Sequence, residues 1–215
     1  MKKPGSVLSI IDIGISNIGS VVRAFQRLGI QPELVADATA VESAQAIVLP
    51  GVGAFGDGMA ALRDKGLVEP LREAARAGKP ILGLCLGMQL LADSSEEYGS
   101  HKGLGIIPGA VVKLKPGVGE RVPNIGWCDV VPHDGTRLFH DFAAGTPLYF
   151  VHGYHMICAN PGHVAAAMSF GGGQVTVAVE HGNVFGIQCH PEKSQDAGLG
   201  ILDAFVSIAT ESAAP

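Results

Sequence analysis

Apolar positions in the first half of the chain fall alternately into short runs and staggered sets. Val7–Ile13 (VLSIIDI) is a run suited to a buried strand. Ile18, Val21, Val22, Phe25 and Leu28 then recur at helical spacing. Ser16 or Asn17 is placed to cap that helix, and Gly29 stands where a helix ends. Pro32–Val35 and Ala46–Leu49 (AIVL) read as the second and third strands, the latter stopping at Pro50. Leu62–Ala77 has a helical pattern, with a candidate interruption near Gly66 and an end at Gly78. Ile81–Leu84 (ILGL) predicts a fourth strand, followed at once by helical Met88–Ala92. Such alternation predicts parallel βαβ units with helices on both faces of a sheet.

The second half changes period. Val111–Leu114, Trp127–Val131, Leu148–His152, Val164–Ser169, Val175–Glu180 and Val184–Gln188 read as short strands parted by turns. His181-Gly182-Asn183 has the composition of a hairpin turn. Ala197–Ala209 closes the pattern as an amphipathic helix through Leu199, Leu202, Phe205, Val206 and Ile208. No linker, repeat or charge block interrupts the 215 residues. The expectation is one α/β domain over residues 1–215: a mostly parallel central sheet, helices on both faces, and an antiparallel β extension.

Composition narrows the function classes. With 47% hydrophobic and 16% charged residues, the chain can bury a large core and is not expected to be disordered. The most apolar stretch, Ile81–Met88, is far short of the roughly 18 to 20 residues of a membrane span. Met1-Lys2-Lys3-Pro4 is basic, but Asp12 interrupts the run that follows and no small-residue cleavage site appears, so no signal peptide is expected. The net charge of −5, with no basic stripe, argues against a nucleic-acid partner. Cys85, Cys128, Cys158 and Cys189 form no C-x-x-C pair. With no export signal, they point to a reducing, cytoplasmic setting. Thirty glycines, roughly twice the usual share, mark turns and close backbone approaches.

Gly83-Leu84-Cys85-Leu86-Gly87 lies where a strand ends and a helix begins. This G-x-C-x-G is the cysteine form of a nucleophile elbow. A sharp turn holds the nucleophile in a strained conformation, and the flanking glycines let neighbouring backbone pass. The backbone N–H of Leu86 faces the same space and can serve an oxyanion. By itself the pentapeptide is equally compatible with a buried cysteine. His190-Pro191-Glu192 follows 105 residues after Cys85. In extended backbone, His190 and Glu192 project to one side, so the carboxylate can orient the imidazole that deprotonates Cys85. A lone His-Pro-Glu is usually a surface turn; beside the elbow it completes a Cys–His–Glu set for thiol-based acyl transfer. Pro50-Gly51-Val52-Gly53, after the third strand, can rotate a peptide plane cheaply and offer an N–H to the same oxyanion. Alone, it reads as a glycine turn.

Together these stretches resemble the class I (triad) glutamine amidotransferases: IDIGISNIGSV (11–21), LPGVGAFGDGM (49–59), GKPILGLCLGMQLL (78–91), VPNIGW (122–127), YFVHGYH (149–155) and FGIQCHPEKS (185–194). The likeness is greatest to the branch whose members feed ammonia to a (β/α)8-barrel cyclase/synthase subunit. It implies hydrolysis of glutamine by Cys85, His190 and Glu192, with an oxyanion hole from Gly51, Val52, Gly53 and Leu86. It also implies glutamine contacts at Gln89, Glu97, His152, Gly153 and Tyr154. A partner surface would include Asn17, Trp127, Tyr149 and Lys193. The barrel subunit would use the ammonia to make imidazole glycerol phosphate and an aminoimidazole carboxamide ribotide, a step of histidine biosynthesis. Relatives serving surface-sugar amination, and stand-alone cysteine amide hydrolases, are the alternatives. Two positions depart from the branch pattern: Ile13 follows Asp12 where an aromatic is usual, and Cys128 follows Trp127 where asparagine is usual.

Other residues add little. His152 and His155 are three apart, which on one strand places them on opposite faces, so no metal is expected. Asp12-x-Gly14-x-x-Asn17 is not a dinucleotide G-x-G-x-x-G, and no cofactor is expected. Trp127 is by default a core residue and Lys193 a solvated one. Pro116-Gly117-Val118-Gly119 repeats the Pro50–Gly53 sequence without a nearby elbow and reads as a loop.

Overall fold

The computed structural model describes residues 8–14 and 16–212. Val7 of the first expected strand and the basic start of the chain lie outside the described residues. Strands and helices alternate as β1 (Leu8–Ile11), α1 (Ile18–Arg27), β2 (Glu33–Val35), α2 (Ala38–Ser43), β3 (Ala46–Gly51), α3 (Phe55–Asp64), α4 (Val68–Arg76), β4 (Ile81–Cys85) and α5 (Leu86–Leu90). The short β5 (Ser94–Ser95) and β6 (His101–Lys102) lead into β7 (Gly109–Lys113), β8 (Asn124–Pro132), β9 (Thr146–His152), β10 (Tyr154–Cys158), β11 (Val164–Phe170), β12 (Gly173–His181) and β13 (Val184–Ile187). A last helix, α6, spans Gln195–Ser212.

The large sheet has the order β2-β1-β3-β4-β13-β12-β11-β8-β9. Its first five strands are parallel and the remaining junctions antiparallel, so the antiparallel half extends the same sheet. A smaller sheet, β10-β7-β5-β6, packs beside it. Alternation along the parallel strands fills two cores. Leu8, Ile10, Val48, Leu82 and Leu84 meet Phe25 of α1 and Phe205 of α6. Ile11, Ile47, Leu49 and Ile81 meet α3, α4, α5 and Val111 and Met156 of the small sheet. These side chains are almost wholly buried, and each contributes roughly 1.5 to 3 kcal/mol of transfer free energy.

Local signals set most boundaries. Beyond α1, Gly29 at φ +78° sends its N–H to Gln26 O, and the Ile30 N–H reaches Phe25 O, the paired bonds of a left-handed helix stop. The same pairing at Gly66 divides the expected Leu62–Ala77 helix into α3 and α4. Asn17 occupies the N-cap of α1, but its side chain accepts from Ser20 Oγ and caps no backbone N–H. Four elements lie outside the sequence expectations: α2, β5, β6 and β10. α2 is capped by Asp37 yet buries only Val41, too little for a periodic signal. β10 follows β9 after Gly153, so His152 and His155 stand on different strands. Among the described residues, no helix is long and apolar enough to cross a membrane. All four cysteines are free thiols.

Candidate active site

β4 ends at Cys85 and α5 begins at the next residue. Cys85 adopts φ 53° and ψ −109°, a left-handed conformation that costs a side-chain-bearing residue about 1 to 3 kcal/mol. Glycine permits this packing on both sides. A Cβ on Gly83 would lie 2.6 Å from Gly87 O, and a Cβ on Gly87 would lie 1.7 Å from Leu49 O. α5 therefore presses directly onto β4 and the end of β3. Leu86, its first residue, carries a backbone N–H with no acceptor inside the helix.

Parallel pairing of β3 with β4 sets Gly51 opposite Cys85. The Pro50–Gly53 segment thus borders the thiol, with Val52 exposed and Gly53 at φ +96°. Between this segment, the triad residues and Asn17 lies a void of about 20 Å³, room for about one water molecule.

β13 leads to His190. Its pairing with β4 aligns Ile187 with Leu84, and the chain continues through Gln188 and Cys189 to His190. The backbone beyond is not extended, as spacing suggested. Pro191–Lys193 forms a 3₁₀ turn capped by His190. That turn brings His190 Nδ1 to 2.9 Å from Glu192 Oε1, with both side chains mostly buried. Nδ1 then holds the proton donated to Glu192, leaving Nε2 as the ring nitrogen for Cys85. Burial opposes the imidazolium, but hydrogen bonds and charge from Cys85 and Glu192 outweigh it and raise His190 to about 10. By contrast, burial pushes the Cys158 thiol up to about 11 and raises Cys189 as well. Neither is suited to nucleophilic attack.

Ser194 completes the turn, a part that sequence reasoning left without a role. Its hydroxyl donates to His190 O at 2.7 Å and accepts from Tyr149 N–H at 2.9 Å, while His190 N–H donates to Tyr149 O at 2.9 Å. Ser194 is 1% exposed, and only three-dimensional placement reveals its use.

The expected glutamine contacts divide. Gln89 Nε2 donates to Tyr154 O at 3.2 Å and to Gln188 Oε1 at 3.0 Å, and His152 Nδ1 lies 2.9 Å from the same carbonyl. Gln89, His152 and Tyr154 therefore form one network beside the elbow. Glu97 lies elsewhere in this wall: its Oε2 accepts the Phe55 N–H at 2.7 Å and so caps α3 just beyond the Pro50–Gly53 segment. Gly153 joins β9 to β10, and its carbonyl accepts the Leu114 N–H at 2.9 Å. Of the expected partner residues, Trp127 is 48% exposed and meets Tyr149 edge-on at 5.8 Å, while Lys193 Nζ lies 5.7 Å from the Tyr149 ring centroid. Asn17 borders the void by the triad instead. Cys128 points inward, where Asn124 Nδ2 donates to its sulfur at 3.4 Å, and Ile13 is buried in the second core.

Burial pushes His152 down to about 4. Its Nδ1 donates to the Tyr154 carbonyl, so the neutral ring is the folded form. Below about pH 6.5 the unfolded chain binds a proton that the folded chain refuses, so stability falls as pH drops from 6.5 towards 4. Between pH 7 and pH 5 the expected loss is about 2 kcal/mol in urea unfolding. A His152→Asn variant should lack this component, and an unchanged pH slope in that variant would contradict the assignment.

Comparison with known proteins agrees with this architecture. Residues 9–207 match the family model for glutamine amidotransferase class-I. The imidazole glycerol phosphate synthase subunit HisH of Sulfurimonas denitrificans is 43% identical over 202 residues, covering 93% of this chain and 97% of that protein. The HisH subunit of Moorella thermoacetica is 43% identical over 199 residues, covering 92% and 93%. Among solved structures, PurLQS from Thermotoga maritima superposes with a TM-score of 0.75 at 22% identity, covering 94% of this chain and 97% of that one. A crystal structure of a glutamine amidotransferase superposes at 0.74 and 21% identity, covering 95% and 99%; both are likenesses of fold. The chain belongs to the class I glutamine amidotransferase family and, within it, to the HisH branch.

Proposed function

We propose that this chain, as one domain, is the glutaminase subunit of an imidazole glycerol phosphate synthase, working in the cytoplasm in histidine biosynthesis. The observation that carries this reading is the strained Cys85 at the end of β4, set against a His190 that Glu192 orients from a buried turn.

The chemistry follows from those three groups. Cys85 Sγ, as thiolate, attacks the carboxamide carbon of glutamine, and the carbonyl electrons move onto oxygen. The Leu86 N–H, together with a peptide N–H of the Gly51–Gly53 segment, stabilises that oxyanion. His190 gives its proton to the departing nitrogen; the C–N bond breaks, ammonia leaves and a thioester remains. His190, now neutral, takes a proton from water as its oxygen attacks the thioester. Glutamate leaves and the Cys85–His190 pair is restored. Glu192 fixes the ring tautomer throughout. Gln89, Glu97, His152, Gly153 and Tyr154 form the wall that receives the amino-acid end of glutamine.

The ammonia passes to a (β/α)8 cyclase/synthase subunit in a heterodimer. Trp127, Tyr149 and Lys193, with Asn17 by the triad, form the docking side. Ile125, 62% exposed, projects from the same face of β8 as Trp127 and widens the apolar patch.

The test is glutamate release by the chain alone, with the barrel subunit, and with that subunit plus its nucleotide ligand. A rise of about 10²-fold or more on adding both is expected, since closing the oxyanion hole alone is worth that much. No rise would transfer the reading to an aminating synthase of surface sugars, and full activity alone would favour a stand-alone amide hydrolase.

A further inference from the structure

Gln188, just beyond β13, is wholly buried, yet it belongs to neither the triad nor the expected glutamine contacts. A primary amide in such a place costs stability unless both ends are paired. Here both are. Gln188 Oε1 lies 3.0 Å from Gln89 Nε2, and Gln188 Nε2 lies 3.7 Å from Cys85 Sγ, within reach for a sulfur acceptor.

The network also fixes which end of each amide faces which partner. The Tyr154 backbone carbonyl can only accept, so the Gln89 terminus beside it is the NH₂ group. That same NH₂ faces Gln188, whose near atom is therefore oxygen. The far end of Gln188 is then its NH₂ group, aimed at the sulfur. Reversing Gln188 would set two donors face to face at Gln89 and turn a carbonyl oxygen towards the thiolate. Gln89 thus donates both to the Tyr154 carbonyl and to Gln188, and Gln188 donates onward to Cys85. A donor beside sulfur favours the thiolate over the thiol, and it steadies the side chain in one rotamer.

From this geometry we propose that Gln188 is a further catalytic residue, whose side-chain N–H holds Cys85 Sγ as an attacking thiolate. The proposal rests on the glutaminase reading above, and it makes the GxQCHPE stretch a double contributor: His190 delivers and removes protons, and Gln188 orients the sulfur. Donation to a charged acceptor predicts a kcat loss of about 10- to 100-fold on removal, with KM for glutamine changed less than about threefold.

The experiment follows alkylation of Cys85 by iodoacetamide against pH, by intact mass, alongside glutaminase kinetics with the barrel subunit present. Cys85→Ala supplies the background from the other three cysteines. Gln188→Met keeps the volume but not the donor; Gln188→Glu keeps the acceptor for Gln89 and sets a charge beside the sulfur. The alkylation midpoint should rise by about one pH unit in the first variant and further in the second. Both should show circular dichroism like the parent chain. An unmoved midpoint in a folded variant overturns the proposal, as does failure of both variants to fold, which would make Gln188 purely structural. Alkylation does not require glutamine. A parent chain that alkylates as expected but hydrolyses no glutamine would overturn the glutaminase reading and leave the role of Gln188 at the sulfur standing.

Discussion

Cys85→Ala is expected to lower glutamine hydrolysis by at least about 10⁴-fold, while thermal unfolding and binding to the barrel subunit stay as in the parent chain. Removing the sulfur removes the atom that forms the thioester, and the remaining groups can act only on water. The stability side follows from the site's geometry. Alanine occupies the same φ 53° and ψ −109° at similar cost, so the strain remains and the elbow keeps its shape. A glutamine analogue that acylates the parent chain should leave this variant unlabelled. Retained hydrolysis at more than about a hundredth of the parent rate would remove Cys85 from the mechanism.

Gly87→Ala is expected to be the most damaging substitution for the fold near the site. Its Cβ would enter to 1.7 Å of the Leu49 carbonyl oxygen, and backbone on both sides is held in β3 and α5. No side-chain rotation relieves that overlap; α5 must lift away from the sheet. The expected loss is about 4 kcal/mol or more, a large share of the stability of a domain of this size. Gly200 in α6 is the control, because an added Cβ there meets nothing within 4 Å. Gly200→Ala should stabilise by about 0.5 to 1 kcal/mol. Melting temperatures of the two variants, measured together, decide the matter. A Gly87→Ala protein that melts with its parent would show that α5 is not seated as described.

The first half of the fold was readable because its strands, the edge strand β2 excepted, are buried on both faces. Ile47–Leu49 and Ile81–Leu84 then carry continuous apolar runs, and Gly29 and Gly78 mark helix ends with backbone only glycine adopts cheaply. The start of α3 was hidden, because Gly56 and Gly58 dilute its pattern and its N-terminus is capped from afar by Glu97. Strand order was hidden for another reason: β13 joins β4 from about a hundred residues away, and nothing local in either sequence names the other. The site divides in the same manner. Cys85, His190 and Glu192 stood out through motif chemistry, although the last two meet across a 3₁₀ turn and not along a strand. Gln188 and Ser194 are polar residues whose importance lies wholly in which distant group each touches. The glycine excess has the same explanation: at Gly83 and Gly87 it records where two backbones come closer than any side chain allows.

The Ser194 hydroxyl has a mechanical meaning. It bridges the Tyr149 N–H to the carbonyl of His190, and the Tyr149 carbonyl holds the His190 N–H in return. Three short bonds thus rivet the backbone of β9 to the backbone that carries the imidazole. Tyr149 faces outward on that strand, under Lys193 and beside Trp127. A displacement of β9 at Tyr149 must therefore break these bonds or carry the backbone of His190 with it.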